Sequence, residues 1–173
     1  MKHVEILISN GRDTNRYRDL ANDAMHRLQQ TLQFEMRLAV TILWWDYRAS
    51  PPTVVPRGAL ASASLATVDR SNAVVAIFGS RLPDVTTQEI HRAFQRRRDG
   101  ESVDVFVFVN ETKMGAEHRA FFAEILNAYG EQIVYQAYSN PIEFQAQLYT
   151  LFFKYLFEQL ATANPDLLSG AAA

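Results

Sequence analysis

Glu89 is the residue of this chain best placed by type and spacing to do chemistry. It follows the apolar run Asn72–Gly79 and the stretch Ser80-Arg81-Leu82-Pro83-Asp84-Val85-Thr86-Thr87-Gln88. In the first turn of a helix, its carboxylate would face the end of the preceding strand. There it could hydrogen-bond ribose hydroxyls or stabilise an oxocarbenium-like centre. The same spacing, Thr86-x-x-Glu89, also fits a capping box in which Glu89 bonds back to the Thr86 amide. Both readings stand. Two other segments offer binding groups. Ser9-Asn10-Gly11-Arg12-Asp13 closes an apolar run, with Gly11 permitting a tight turn. The helix beyond it points its first amides at whatever binds there. An ordinary turn with Asp13 as N-cap is the plainer account. Trp44-Trp45-Asp46-Tyr47-Arg48 ends a second run. Alternation sends one tryptophan to each face, while Tyr47 and Arg48 lie beyond it, where they could stack on a base or meet a phosphate. A surface salt bridge is the alternative for Arg48.

These segments must be positioned by regular elements, and the pattern supplies them. His3–Ser9 reads as a strand, and a helix follows from Thr14 to Thr31 with Tyr17, Leu20, Ala21, Ala24, Met25 and Leu28 on one face. Arg37–Trp45 is nearly continuously apolar, as a strand covered on both faces would be. The connection Asp46–Gly58 contains Pro51, Pro52 and Pro56 and is long for its kind. A small-residue helix over Ala59–Asp69 leads to the strand Asn72–Gly79. The loop Ser80–Val85 then precedes a helix over Thr87–Arg98. Strands at Val103–Val109 and Gln132–Ala137 alternate with helices at Ala116–Ala128 and Pro141–Thr162. Alternating strands and helices imply right-handed crossovers and a parallel sheet. The expectation is a flavodoxin-like three-layer α/β sandwich, five strands in the order 2-1-3-4-5. Ligands then gather at the carboxyl ends of the first and third strands. Residues 1–163 would form this domain, and 164–173 a tail or the start of a linker.

Composition narrows the function. The chain has 173 residues, 48% of them hydrophobic, enough for one domain with its own core. It has no cysteine, and its four histidines, His3, His26, His91 and His118, lack ligand spacing. A metal site is therefore not expected. The net charge of −2 gives no pull toward nucleic acid. The run Arg96-Arg97-Arg98 reads as a solvated helix end. No apolar stretch is long enough for a membrane span, and no leader is apparent, so a cytoplasmic location is expected. Neither G-x-x-x-x-G-K, G-x-G-x-x-G nor G-x-S-x-G occurs, which argues against phosphate-loop ATPases, Rossmann-type hydride transfer and serine hydrolases.

Three segments together carry a resemblance: ILISNGRDTNRYRDL, WWDYRAS and VDRSNAVVAIFGSRLPDVTTQEIHRAF. The chain resembles TIR-like domains, in particular the TIR-related family found at the N-termini of bacterial signalling NTPases. That resemblance implies a TIR-like NAD+ nucleosidase, cleaving the nicotinamide–ribose bond without metal or added cofactor, in bacterial defence or signalling. NAD+ would be the substrate and Glu89 the catalytic residue. Ser9, Asn10, Gly11, Arg12, Asp46, Tyr47, Arg48, Phe78, Gly79, Ser80 and Arg81 would line the substrate site. Arg12 and Arg48 would hold the diphosphate, and Tyr47 or Phe78 would border a base. The serine and tryptophan that often precede the TIR glutamate are replaced here by Val85-Thr86-Thr87-Gln88. The same segment, through Gly79, Asp84, Thr86 and Glu89, is similar to nucleoside deoxyribosyltransferases, whose glutamate attacks the sugar. A non-catalytic TIR-like assembly module is the alternative of a different class.

The last helix adds an expectation about partners. Leu148, Leu151, Phe152, Tyr155, Leu156 and Gln159 form a stripe that should pack on the sheet. A second stripe, Tyr149, Phe153, Phe157 and Leu160, points to a homo-oligomer or a fused or associated sensor domain. Packing of that stripe on the helix at Ala116–Ala128 is the intramolecular alternative.

Overall fold

The computed structural model describes residues 2–36, 38–44 and 57–163. Five strands form one parallel sheet: β1 (Lys2–Asn10), β2 (Leu38–Trp44), β3 (Ala73–Phe78), β4 (Asp104–Asn110) and β5 (Ile133–Tyr138). Their order is β2-β1-β3-β4-β5. The flavodoxin-like arrangement expected from the alternating pattern is thus the one observed. Ser9 pairs with Ala76 and Asn10 with Ile77, so β1 and β3 end side by side at the centre of the sheet.

The helices are α1 (Asn15–Met36), α2 (Arg57–Arg70), α3 (Asp84–Arg98), α4 (Ala116–Tyr129) and α5 (Pro141–Ala163). Strand side chains alternate between two faces, and each face buries its own core. Val4, Ile6 and Ile8 pack with α1 and α5 around Phe108, Tyr138, Phe144 and Phe152. Leu7 packs on the other face with Val68 of α2, Ile90 and Phe94 of α3, and Phe121 and Phe122 of α4. Ser9, two residues past Leu7, points to this second face. β3 is buried along its whole length, as a central parallel strand should be.

Several expectations are corrected. α3 begins at Asp84, with Pro83 as its N-cap, and not at Thr87. Proline's fixed φ and missing N–H suit the entry to a helix, and the Thr87 amide closes the first turn on the Pro83 carbonyl at 3.0 Å. α1 runs to Met36, well past Thr31. Arg96 is not solvated. It is 7% exposed, donates to the carbonyls of Val68 and Ser71 at 2.5 and 2.8 Å, and pairs with Glu101 at 2.8 Å. It ties the end of α2 to the α3–β4 connection. The second stripe of α5 divides: Leu160 is 3% exposed within the core, while Tyr149 and Phe153 stay 40% and 43% exposed. It does not pack on α4, whose Phe121, Phe122 and Ile125 lie in the core of the opposite face. No described helix is long and apolar enough to cross a membrane.

Candidate functional site

Ser9 at the end of β1, Ser64 in the middle of α2 and Glu89 in α3 come together on the second face of the sheet. Glu89 is 4% exposed. Its Oε2 accepts a hydrogen bond from the Ser9 hydroxyl and its Oε1 one from the Ser64 hydroxyl. The Thr86 amide is not its partner. With α3 starting at Asp84, Thr86 and Glu89 both lie inside the helix, and the capping-box reading falls. Burial pushes the Glu89 carboxyl above the ordinary range, and the Ser64 and Ser9 hydroxyls pull it part of the way back. Among the described residues no cation pairs with it. A buried carboxylate held only by neutral hydroxyls stays receptive to positive charge that develops beside it.

Open space adjoins this carboxylate on two sides. A cavity of about 280 Å³ is lined, among the described residues, by Leu7, Ile42, Leu43, Ser64, Thr67, Arg70 and Glu89. It follows the groove between α2 and the edge strand β2. A hollow of about 20 Å³, the size of a single water molecule, lies toward Ser9, Asn10, Thr86 and Glu89.

The loops above this site are drawn together by Asp13. Its Oδ2 accepts from the Ser80 amide at 2.8 Å, the Ser80 hydroxyl at 3.1 Å and the Arg81 amide at 3.3 Å. Asp13 therefore joins the β1 and β3 loops and does not cap α1. Both glycines serve this closure. A Cβ on Gly79 would stand 2.5 Å from Asp13 Oδ2 and 2.7 Å from Thr14 Cγ2. One on Gly11 would stand 2.6 Å from Pro83 Cγ and 2.8 Å from Asp13 Oδ1. Asn10 turns its amide to the Gly11 carbonyl at 2.7 Å and to Asn15 at 3.1 Å.

Of the residues singled out in the sequence, Ser9 and Glu89 meet directly. Arg12, Ser80 and Arg81 are exposed on the two loops. Phe78 is withdrawn as a ring that borders a base. It is fully buried, with ring centroids 5.2 Å from Phe122 and 6.0 Å from Phe121. As the last residue of β3 it points into the core between strand and α4, away from the loop. Asp46, Tyr47 and Arg48 lie outside the described residues. Ser64, Thr67 and Arg70 escaped the sequence reading, and Asp13 entered it only as an N-cap. Ser64 sits in a run of alanines and serines, where one hydroxyl looks like the next. Asp13 was expected to cap the helix after β1, but its partners come from another loop. Among the described residues no cluster of His, Asp and Glu could hold a metal ion.

No family model matches the chain. No curated protein matches it either. Solved structures do. A CMP N-glycosidase from Clostridium botulinum superposes with a TM-score of 0.50 and 11% identity, covering 83% of this chain and 97% of that one. Rubredoxin oxygen:oxidoreductase from Desulfovibrio gigas gives 0.50 and 12%, covering 94% of this chain and 37% of the other. At such identities the likeness is one of fold.

Proposed function

We propose that the chain is an N-glycosidase that hydrolyses the bond between a base and the ribose of a nucleotide, with Glu89 as its catalytic carboxylate. The supporting observation is the placement of Glu89: buried, without a cation among the described residues, clasped by Ser9 and Ser64 and lining a cavity of about 280 Å³. As the C1′–N bond breaks, its electron pair leaves with the base and positive charge grows on C1′ and the ring oxygen. Glu89 stabilises that charge. Water then adds to C1′ and loses a proton, giving the free base and the sugar with its phosphate. That proton goes to the departing base where the base leaves as an anion, and to solvent where it leaves neutral. Ser9 and Ser64 fix the carboxylate plane and favour its ionised form.

Two substrates deserve the first trials. NAD+ is the one that the resemblance to TIR-like domains implies, and nicotinamide leaves without needing a proton. CMP is the nucleotide that the similar solved CMP N-glycosidase acts on, and the superposition spans nearly all of that chain. Purified protein is incubated with NAD+ and, separately, with each nucleoside 5′-monophosphate, and released base is followed by chromatography. Release that disappears in Glu89→Gln, with the fold intact by circular dichroism, supports the reading. Absence of release from every substrate, or full activity of a folded Glu89→Gln, overturns it.

A further inference from the structure

The diphosphate is expected at Arg12 and Arg48, and Arg48 lies outside the described residues. In the loop after β3, tied through Asp13 to the loop of Arg12, the amides best suited to an anion are occupied. Successive backbone N–H groups such as those of Ser80 and Arg81 make anion-binding concavities. Here the Asp13 carboxylate fills that place, and an incoming phosphate would have to displace an internal anion.

The wall of the Glu89 cavity offers another place. Ser64, Thr67 and Arg70 all line it and follow one another at three-residue steps along α2. At about 1.5 Å of rise per residue, Thr67 lies roughly 4.5 Å and Arg70 roughly 9 Å along the axis from Ser64. With Ser64 on the Glu89 carboxylate, Arg70 can reach back to a group one sugar's length from the reacting carbon. Arg70 is exposed at the last turn of α2, and among the described residues no carboxylate lies within ion-pair distance of it. The neighbouring Asp69 is taken by Arg92 at 2.6 Å. Thr67 presents a hydroxyl that now donates to the Ala63 carbonyl at 3.1 Å and can rotate away from it. The cavity's size points the same way. About 280 Å³ is at the small end of ligand sites, roughly 300–1,000 Å³, which suits one nucleotide better than two joined.

We propose that this groove takes a nucleoside 5′-monophosphate, its sugar against Glu89 and Ser64 and its phosphate on Arg70 and Thr67. The orientation of the sugar rests on the N-glycosidase reading; the phosphate subsite does not. An arginine at a helix C-terminus also complements the helix dipole, a role that needs no ligand.

Calorimetric titration separates these roles. Nucleoside 5′-monophosphates and their parent nucleosides are titrated into the wild-type chain and into Arg70→Ala, Arg70→Lys, Thr67→Val and Arg12→Ala. In the wild type the monophosphate binds on the order of tenfold or more tighter than its nucleoside, as a charge-assisted contact predicts. Arg70→Ala brings the two within about twofold, Arg70→Lys falls between because it loses the planar fork, and Arg12→Ala keeps the wild-type ratio. Thr67→Val lowers the ratio less than Arg70→Ala does. An unchanged ratio in Arg70→Ala, a ratio lost in Arg12→Ala, or no binding of any monophosphate overturns the proposal. A preference that depends on Arg70, in a protein that releases no base, leaves the subsite standing and removes the N-glycosidase reading.

Discussion

Among the described residues two cavities of similar size flank this sheet, one at each edge, and each is lined by a carboxylate whose ionised form burial disfavours. At the β2 edge it is Glu89, beside about 280 Å³ of open space. At the β5 edge it is Asp104, beside about 220 Å³ bounded by Phe106, Val134, Leu151, Lys154, Tyr155 and Glu158. The difference lies in what faces the charge. Asp104 is half-buried and has Arg97 at 3.8 Å, whose charge pulls its carboxyl back down. Lys154 nearby pairs with Glu158 at 3.8 Å. Charges at that edge are matched within the protein, as in an ordinary surface network. Glu89 is nearly fully buried and, among the described residues, is met by hydroxyls and no cation. A carboxylate that the fold buries and leaves without a cation is a mark of function more than of stability.

The sharpest way to break this contrast is to neutralise Glu89. Glu89→Gln keeps the volume and is expected to lower base release by roughly 10³-fold or more, the scale for losing a group that acts on transition-state charge. Next in size is closure of the loops above it. Gly79→Ala places a Cβ against Asp13 and Thr14 and should cost about 1–3 kcal/mol, the usual range for overpacking. Chemical denaturation measures it. If Asp13→Ala in the same background restores most of that loss, the clash is with the carboxylate; if it restores none, Thr14 is the obstacle.

The sheet was legible because its signals are local. A parallel strand covered on both sides reads as an apolar run, as Val103–Val109 does, and long 3.6-residue periods mark the crossovers. The order of strands followed from topology alone. The site was legible only where one residue carried it. Glu89 stood out by its position after β3, but spacing could not choose between cap and catalyst, because that depends on where α3 starts. Pro83 decided the matter by opening the helix at Asp84. Ser64 and Asp13 were out of reach for another reason. Their roles are set by partners far along the chain, Glu89 in one case and the Ser80 and Arg81 amides in the other. Phe78 misled through alternation: the last side chain of a strand faces core or cleft according to a pleat the sequence does not phase.

A subtler test removes the clasp and keeps the carboxylate. Burial raises the Glu89 pKa, and the hydroxyls of Ser64 and Ser9 oppose that rise. Ser64→Ala, and more so Ser64→Ala with Ser9→Ala, should raise it further. Base release needs the ionised form, so the acid limb of its pH profile should move to higher pH in these variants. A limb that stays in place with only the maximal rate reduced would mean that the serines touch substrate and do not tune the carboxylate.

The smallest expected effect, and the one that completes the comparison, concerns stability and its dependence on pH. A carboxyl whose pKa is higher in the folded state than in the unfolded chain binds more protons when folded. Its ionisation therefore destabilises the fold as pH rises through that folded pKa, while below the unfolded value, about 4.3 for glutamate, the penalty is absent. Glu89→Gln should accordingly melt slightly higher than wild type at neutral pH, with the gain fading as pH falls toward that range. Asp104→Asn removes a penalty of the same sign, since burial also raises that group. It removes the attraction of Arg97 as well, at a site open to solvent, so its gain should be smaller. The two variants thus shift melting in the same direction and part company in turnover, which Asp104→Asn should leave at the wild-type rate. Melting curves and base release measured on the same samples from acid to neutral pH decide this. If Asp104→Asn abolishes base release, the β5 edge is part of the site and the contrast between the two carboxylates fails.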